Sequence, residues 1–167
     1  MPGRARYAPL VDADTILVAL GLRAHPEGGW YAETLRDASP GGDRAASSAI
    51  YFLLRAGEAS RWHRVDATEV WHHYAGAPLE LRISAGGQAE TVVLGDDLDR
   101  GERPQAVVPP RAWQAARSFG DWTLVGCTVA PAFEFAGFEL PPEGWEPDDR
   151  TAGPGDERDE ADATDGR

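Results

Sequence analysis

The sequence GEASRWHRVDATEVWHHYAG, residues 57–76, decides the fold of this chain. Its apolar and ionisable side chains alternate, which predicts two short antiparallel strands joined by a turn at residues 65–68. His63 and Glu69 stand on these two strands, so both side chains can point into one cavity. A buried pair of a histidine and a glutamate is suited to a metal site or to an acid/base site.

The rest of the chain predicts an all-β domain with one short N-terminal helix. The helix begins at Asp12 as its cap, repeats apolar residues at helical spacing and ends at Gly21. From Gly29 onward the pattern has period two, and short strands are separated by turn residues. Ten strands in this arrangement favour a double-sheet jelly roll. The predicted strands are Trp30–Arg36, Ala46–Arg55, Ser60–Arg64, Thr68–Tyr74, Leu79–Ser84, Ala89–Leu94, Gln105–Val108, Trp113–Phe119, Trp122–Ala130 and Phe135–Glu139.

The 167 residues predict one domain between two terminal segments. We assign residues 1–11 to an N-terminal extension, 12–142 to the domain and 143–167 to an acidic tail. The tail holds ten Asp or Glu against three Arg, so it contributes −7 of the net charge of −12. Its composition predicts disorder, and we expect its removal to leave the melting temperature nearly unchanged.

Composition excludes several classes of function. The acidic balance argues against nucleic acid and against an anionic membrane as partners, since both bind basic surfaces. All 16 basic residues are arginine, which excludes lysine Schiff-base chemistry. The single cysteine, Cys127, cannot form a disulfide within one chain, and no stretch has the length of a membrane span or the pattern of a signal peptide. We therefore expect a cytoplasmic protein.

Gly57, His63, Glu69 and Gly76 resemble the first cupin motif, G-x5-H-x-H-x3-E-x6-G, at the spacing of that family. Val65 stands where the family has its second histidine. The second cupin motif, P-x-G-x2-H-x3-N, is visible in outline in the segment that begins at Pro109. There Arg111 takes the glycine place, Gln114 the histidine place and Ser118 the asparagine place.

The wider pattern is similar to the little-characterised branch called cupin 5. The similarity rests on HPEGGWY at residues 25–31, EVWH at 69–72 and VVP at 107–109, and it spans about residues 12–140. It implies a cupin jelly roll with a small-molecule pocket, and it implies a homodimer, with residues 29–36 or their neighbours as interface strands. Members of the superfamily include dioxygenases, sugar epimerases and seed storage proteins, so the resemblance identifies the fold more closely than the activity.

Strand alternation predicts which side chains share the pocket. Trp71 and His73 should face the same way as Glu69, and Arg61 the same way as His63, whereas His72 should face away. On the strand that carries the second motif, Gln114 and Ser118 should point inward. A divalent metal such as Fe, Mn, Zn or Ni would use the four candidate ligands His63, Glu69, His73 and Gln114.

Without a metal, His63 and Glu69 can act as catalytic residues by proton transfer. Such chemistry resembles that of metal-free epimerases with this fold, which need an acid on the far side of the substrate. The candidates for that acid are Tyr31 and Tyr51, and Glu27 and Arg36 are candidates for orienting a polar or anionic substrate. The sequence thus favours an isomerase- or epimerase-type enzyme for a small carbonyl or sugar-like metabolite. The alternatives are a metal-dependent cupin enzyme and a non-catalytic ligand-binding or sensory cupin.

Overall fold

A computed structural model describes residues 11–38, 41–42 and 44–147 of the chain. The first element is helix α1 (Ala13–Leu20), as the sequence predicts. The Asp12 carboxylate accepts a hydrogen bond from the Thr15 amide at 2.7 Å, and Gly21 ends the helix in the left-handed conformation. No helix of the described residues is long and apolar enough to cross a membrane.

In the described part of the chain, eleven strands form two antiparallel sheets, which confirms the predicted all-β jelly roll. The first sheet has the order β1 (Arg23–Ala24), β2 (Trp30–Asp37), β3 (Ser47–Arg55), β10 (Trp122–Ala130), β5 (Thr68–Gly76) and β8 (Gln105–Val108). The second has the order β11 (Phe138–Glu139), β4 (Ala59–Val65), β9 (Trp113–Ser118), β6 (Leu79–Ser84) and β7 (Glu90–Leu94). Two 3-10 turns, Leu98–Arg100 and Phe135–Gly137, lie where the sequence predicts a loop and the start of the last strand.

The core lies between the two sheets and also under α1. Trp71 and Phe52 from the first sheet meet Leu79 and Leu81 from the second, and all four are essentially inaccessible to solvent. On the other face of the first sheet, Ile16 of α1 packs with Leu53 and Trp122. The interior between the sheets is where the inward-facing polar residues are found.

A β-bulge in β4 changes which of its residues face the interior. The register between β4 and β9 shifts between Ser60 and His63, so both of these residues are buried although they are three positions apart. Trp62 packs against Trp145, and Arg61 is exposed. The prediction that Arg61 shares the pocket with His63 is therefore wrong, because simple alternation does not hold across a bulge.

The first residues of the predicted acidic tail pack against the domain. Trp145 lies 4.5 Å from Trp113, measured between ring centroids, and Glu146 forms an ion pair with Arg82. Arg82 in turn lies over the ring of Trp62. The segment up to residue 147 is thus attached to the second sheet. The rest of the predicted tail, residues 148–167, and residues 1–10 of the predicted N-terminal extension lie outside the described residues.

Candidate functional site

Glu69 lies on the interior face of the first sheet. Four strands place the residues Arg36, Ser48, Val129 and Glu69 side by side as direct cross-strand partners. Direct partners in an antiparallel pair share one face of the sheet, so these side chains form a row that runs from the edge to the interior. Glu69 is buried at the inner end of this row.

Gln114 and Trp71 fix the orientation of Glu69. The indole N–H of Trp71 donates to Gln114 Oε1 at 2.9 Å, and Gln114 Nε2 donates a short hydrogen bond to Glu69 Oε2. An indole nitrogen can only donate, so the amide oxygen must face Trp71 and the amide NH2 must face the carboxylate. Gln114 is completely buried, and the sequence correctly predicts that it lies beside Glu69.

His63 is held opposite Gln114 on the adjacent strand. Its Nδ1 lies 2.8 Å from the carbonyl oxygen of Arg61, and its Nε2 lies 3.2 Å from Glu27 Oε2. Because a carbonyl oxygen only accepts, Nδ1 must carry a proton. The remaining ring nitrogen, Nε2, therefore faces the Glu27 carboxyl group, and the Phe138 ring lies against the imidazole at 5.6 Å between centroids.

Glu27 reaches His63 from the loop between β1 and β2. Gly28 has a φ of 110° and packs so closely on β4 that an added Cβ would lie 2.1 Å from the carbonyl oxygen of Ala59. The Ser60 hydroxyl donates to Glu27 Oε1 at 2.7 Å, and Oε2 lies near two histidines, 3.2 Å from His63 Nε2 and 3.5 Å from His25 Nδ1. Sequence analysis predicts Glu27 as a substrate-orienting residue, but the structure buries it beside His63. Its contact with His63 was missed, and the only signal for it in the sequence is the pair of glycines that follows Glu27.

Burial changes the protonation of these groups. Burial raises the pKa of Glu27 from 4.5 to about 7 and also raises the pKa of Glu69. Burial lowers the pKa of His63, although the neighbouring Glu69 carboxylate opposes this change. Below about pH 7 the Glu27 carboxyl therefore keeps a proton that it can share with His63 Nε2, while His63 Nδ1 carries its own proton.

A cavity of about 280 Å³ opens from the surface onto Glu69. Glu69 lines this cavity. The other three buried polar residues described above, His63, Glu27 and Gln114, are not among the described residues that line it. Two other predicted site residues, Tyr31 and Arg36, also line the cavity. The described residues that line it are Arg23, Tyr31, Glu33, Arg36, Ser48, Ile50, Glu69, Cys127, Val129, Phe133 and Phe135.

Besides the buried residues His63, Glu27, Gln114 and Trp71, three further predicted site residues do not line this cavity. Tyr51 follows Ile50, which faces the interior, and it packs against Tyr74 on the opposite face of the sheet at 6.1 Å between ring centroids. Ser118 forms a hydrogen bond with Thr123 Oγ1 at 2.7 Å near the end of β9. His73 shares the face of Glu69, but four residues of strand separate them by ~13 Å. Its Nε2 lies 3.2 Å from the carbonyl oxygen of Ala77, so these three assignments to the site need correction.

The residues present fit a divalent metal poorly. The oxygen of Gln114 is occupied by Trp71, and the NH2 group that faces Glu69 cannot bind a cation. Val65, in the place of the second histidine, is buried in an apolar cluster with Phe133 and Phe138. Within residues 11–38, 41–42 and 44–147, no three His, Cys, Asp or Glu side chains are placed to hold a metal ion together. The arrangement is instead that of hydrogen-bonded acids and bases.

A second, larger groove of about 570 Å³ lies between the second sheet and residues 141–146. Trp62 and Trp145 form its aromatic walls. The three arginines among its described lining residues are held by the protein itself, because Arg117 pairs with Glu80, Arg82 pairs with Glu146 and Arg61 donates to the Pro26 carbonyl oxygen. Arg61, which the sequence predicts to share the pocket with His63, lines this groove instead.

Comparison with known proteins agrees with this architecture. The family described as Cupin_5, cupin superfamily (DUF985), matches residues 14–141. A crystal structure of a protein from Shewanella oneidensis is 41% identical, covers 79% of this chain and 85% of its own, and has a TM-score of 0.76. A hypothetical protein from Leishmania major is 29% identical over 78% and 88% of the two chains, with a TM-score of 0.74.

More distant structures share only the fold. Oxalate decarboxylase from Bacillus subtilis is 11% identical, with a TM-score of 0.55, and the match covers 70% of this chain and 29% of that enzyme. A search of curated proteins finds no significant match.

Proposed function

The chain belongs to the Cupin_5 family of the cupin superfamily, and we propose that it is an isomerase- or epimerase-type enzyme acting on a small carbonyl or sugar-like metabolite. The observation that carries the proposal is the position of Glu69. This residue is the buried carboxylate at the inner end of the 280 Å³ cavity, and Tyr31 lines the same cavity. A base and a hydroxyl acid in one cavity are what the movement of a proton next to a carbonyl requires.

In this mechanism Glu69 removes a proton from the carbon next to the carbonyl, and the electron pair of the C–H bond moves to the carbonyl oxygen as an enolate. Tyr31 then gives its hydroxyl proton to the same intermediate, so the C–H bond re-forms, and each residue afterwards recovers its starting protonation state from water. Burial raises the pKa of Glu69 and makes its carboxylate a stronger base, while the Gln114 amide stabilises the ionised form.

The His63–Glu27 pair supports Glu69 from behind the cavity. Charge on His63 lowers the pKa of Glu69, and charge on Glu27 raises it. The single proton that the pair shares therefore tunes the base without contact between the pair and the substrate. His63 and Glu27 are positioning residues in this proposal, whereas Glu69 and Tyr31 are the catalytic residues.

Exchange of carbon-bound hydrogen tests the proposal directly. We would incubate the protein in D2O with a panel of small ketones, aldehydes and keto acids and follow the loss of the α-proton signal by ¹H NMR. We expect Glu69→Gln to abolish exchange and Tyr31→Phe to slow it. Tyr51→Phe is the matched control, since Tyr51 lies on the opposite face of the sheet, and it should exchange like the wild type. Exchange that survives Glu69→Gln, or wild-type exchange no faster than in buffer across the panel, would contradict the proposal.

A non-catalytic ligand-binding or sensory cupin is the second candidate. It is favoured by Val65 and Gln114, which stand at two of the places where the cupin motifs have histidine. Saturable binding of a panel compound without any hydrogen exchange would support this candidate. The metal-dependent alternative remains a prediction, and metal analysis of protein purified without chelator tests it.

We also propose a homodimer through the edge formed by residues 29–36. Strand β1 pairs with β2 only at Trp30 and Tyr31, so the segment from Glu33 to Asp37 has no strand on that side within the described residues. Leu35 on this segment is 48% exposed. An unpaired, partly apolar edge of this kind favours strand pairing between two copies. Sedimentation velocity that gives a monomer at micromolar concentration would refute it.

A further inference from the structure

Four charged side chains line the cavity around Glu69, and two of them pair with each other. Arg36 is committed to Glu33 through two hydrogen bonds, at 3.1 Å from Nε and 2.7 Å from Nη2, and its Nη1 donates to the Phe133 carbonyl oxygen. This pair therefore contributes no net charge to the cavity. Two further ionisable groups of opposite sign remain along its wall, namely Glu69 at the inner end and Arg23.

Arg23 is available to a ligand. It lies in β1 directly opposite Tyr31, and its guanidinium carbon lies 4.9 Å from the centre of the Tyr31 ring. The side chain is exposed, and no ion pair joins it to a carboxylate among the described residues. Stacking on an aromatic ring holds a guanidinium in place while its N–H groups stay free to donate.

We infer that this cavity selects a small anionic carbonyl compound, whose carboxylate or phosphate oxygens pair with Arg23. The inference rests on the proposed function, and it adds the substrate class. A guanidinium binds a carboxylate or a phosphate through two parallel hydrogen bonds, so it fixes orientation as well as position. Because Arg23 and Tyr31 are cross-strand partners, an anion held by Arg23 brings the adjoining carbonyl group next to the Tyr31 hydroxyl.

The size of the cavity limits the substrate further. At about 280 Å³ it is slightly below the range of about 300–1,000 Å³ that is typical of sites for drug-sized ligands. Its apolar wall of Phe133, Phe135 and Val129 can cover a short carbon chain. These features favour a compound of a few carbon atoms with one anionic end over a nucleotide-linked sugar.

Binding measurements with three probes test the inference separately from catalysis. The probes are pyruvate as the carboxylate, dihydroxyacetone phosphate as the phosphate and dihydroxyacetone as the neutral compound. Titration calorimetry or ligand-observed NMR would give each Kd for the wild type, for Arg23→Gln and for Arg100→Gln. Arg100 is the matched control, since it is a 75% exposed arginine in the 3-10 turn Leu98–Arg100 and does not line the cavity.

We expect at least one anion to bind the wild type more tightly than dihydroxyacetone does. We expect Arg23→Gln to weaken that binding about tenfold or more, and Arg100→Gln to leave it unchanged. The tighter of the two anions identifies the carboxylate or the phosphate as the preferred group. Equal binding to Arg23→Gln and wild type, equal binding of the neutral probe, or no binding of either anion overturns the inference. Anion binding that depends on Arg23 without any α-proton exchange would leave the substrate class standing and remove only the proposed catalysis.

Discussion

Replacement of Glu27 by glutamine should make the protein more stable at alkaline pH, although it removes a buried residue of the site. The Ser60 hydroxyl already donates to one oxygen of Glu27, and the other oxygen lies 3.2 Å from His63 Nε2. In Glu27→Gln the amide oxygen can accept from Ser60, and the NH2 group can donate to the unprotonated Nε2. Glutamine therefore reproduces the hydrogen bonds of the protonated glutamic acid.

The size of the effect follows from the pKa of Glu27. This pKa is about 7 in the folded protein against an ordinary value of 4.5, because the side chain is buried. Between these two pH values the folded state keeps a proton that the unfolded chain has released. The free energy of unfolding therefore falls as pH rises from 4.5 to about 7, and the full loss corresponds to ~3 kcal/mol. Glutamine does not titrate, so the variant avoids this loss.

Urea denaturation at a series of pH values measures the effect. We expect the variant and the wild type to be similar below pH ~4.5, and the variant to be more stable by up to ~3 kcal/mol above pH ~7. Ser60→Ala serves as the opposing control. The Ser60 hydroxyl lowers the pKa of Glu27, so in Ser60→Ala the fall of stability with pH should continue to a higher pH than in the wild type. A difference between Glu27→Gln and wild type that does not grow with pH would refute the reasoning.

Two further changes test the packing around the site. Gln114→Leu should lower the free energy of unfolding by ~2–5 kcal/mol in urea denaturation, because the Trp71 indole N–H and a Glu69 oxygen lose their partner in the core. An unchanged free energy of unfolding would show that Gln114 does not bridge these two groups. A chain ending at Pro142 should melt ~4 °C lower by calorimetry, because it loses the contact of Trp145 with the second sheet. A melting temperature equal to that of the full chain would support the prediction from the sequence that the tail adds nothing to stability.

The sequence predicts those parts of the fold and of the site that depend on local pattern. The caps Asp12 and Gly21 mark the ends of the helix because they satisfy its free backbone groups, and the structure confirms both. Alternation along β5 placed Glu69 and Trp71 on the interior face correctly. The spacing of the second motif brought Gln114 to Glu69, since motif spacing fixes the register between strands.

The sequence could not predict what depends on three-dimensional contacts. Tyr31 and Tyr51 are equally plausible acids in the sequence, and only the pairing of β2 with β3 shows that Tyr31 lines the cavity. His73 has the correct face but the wrong distance, because period two gives the side of a sheet and not the position along a strand. The bulge that turns Arg61 outward has no sequence marker, and the two glycines after Glu27 mark a close approach of the backbone without showing that the loop reaches β4.

Two of the substitutions in the cupin motifs, Val65 and Gln114 in the places of histidines, have a common physical consequence. At position 114 a side chain that could bind a cation is replaced by an amide whose NH2 group points at Glu69, and a hydrogen-bond donor takes the place that a metal would need. At position 65 an imidazole is replaced by valine, which packs with Phe138 beside His63. His63 is then left with Glu27 as its partner, and the two share a proton. A carboxylate held by a neutral donor loses less of its basicity than a carboxylate bound to a cation. The changes therefore favour proton transfer at Glu69 over metal chemistry.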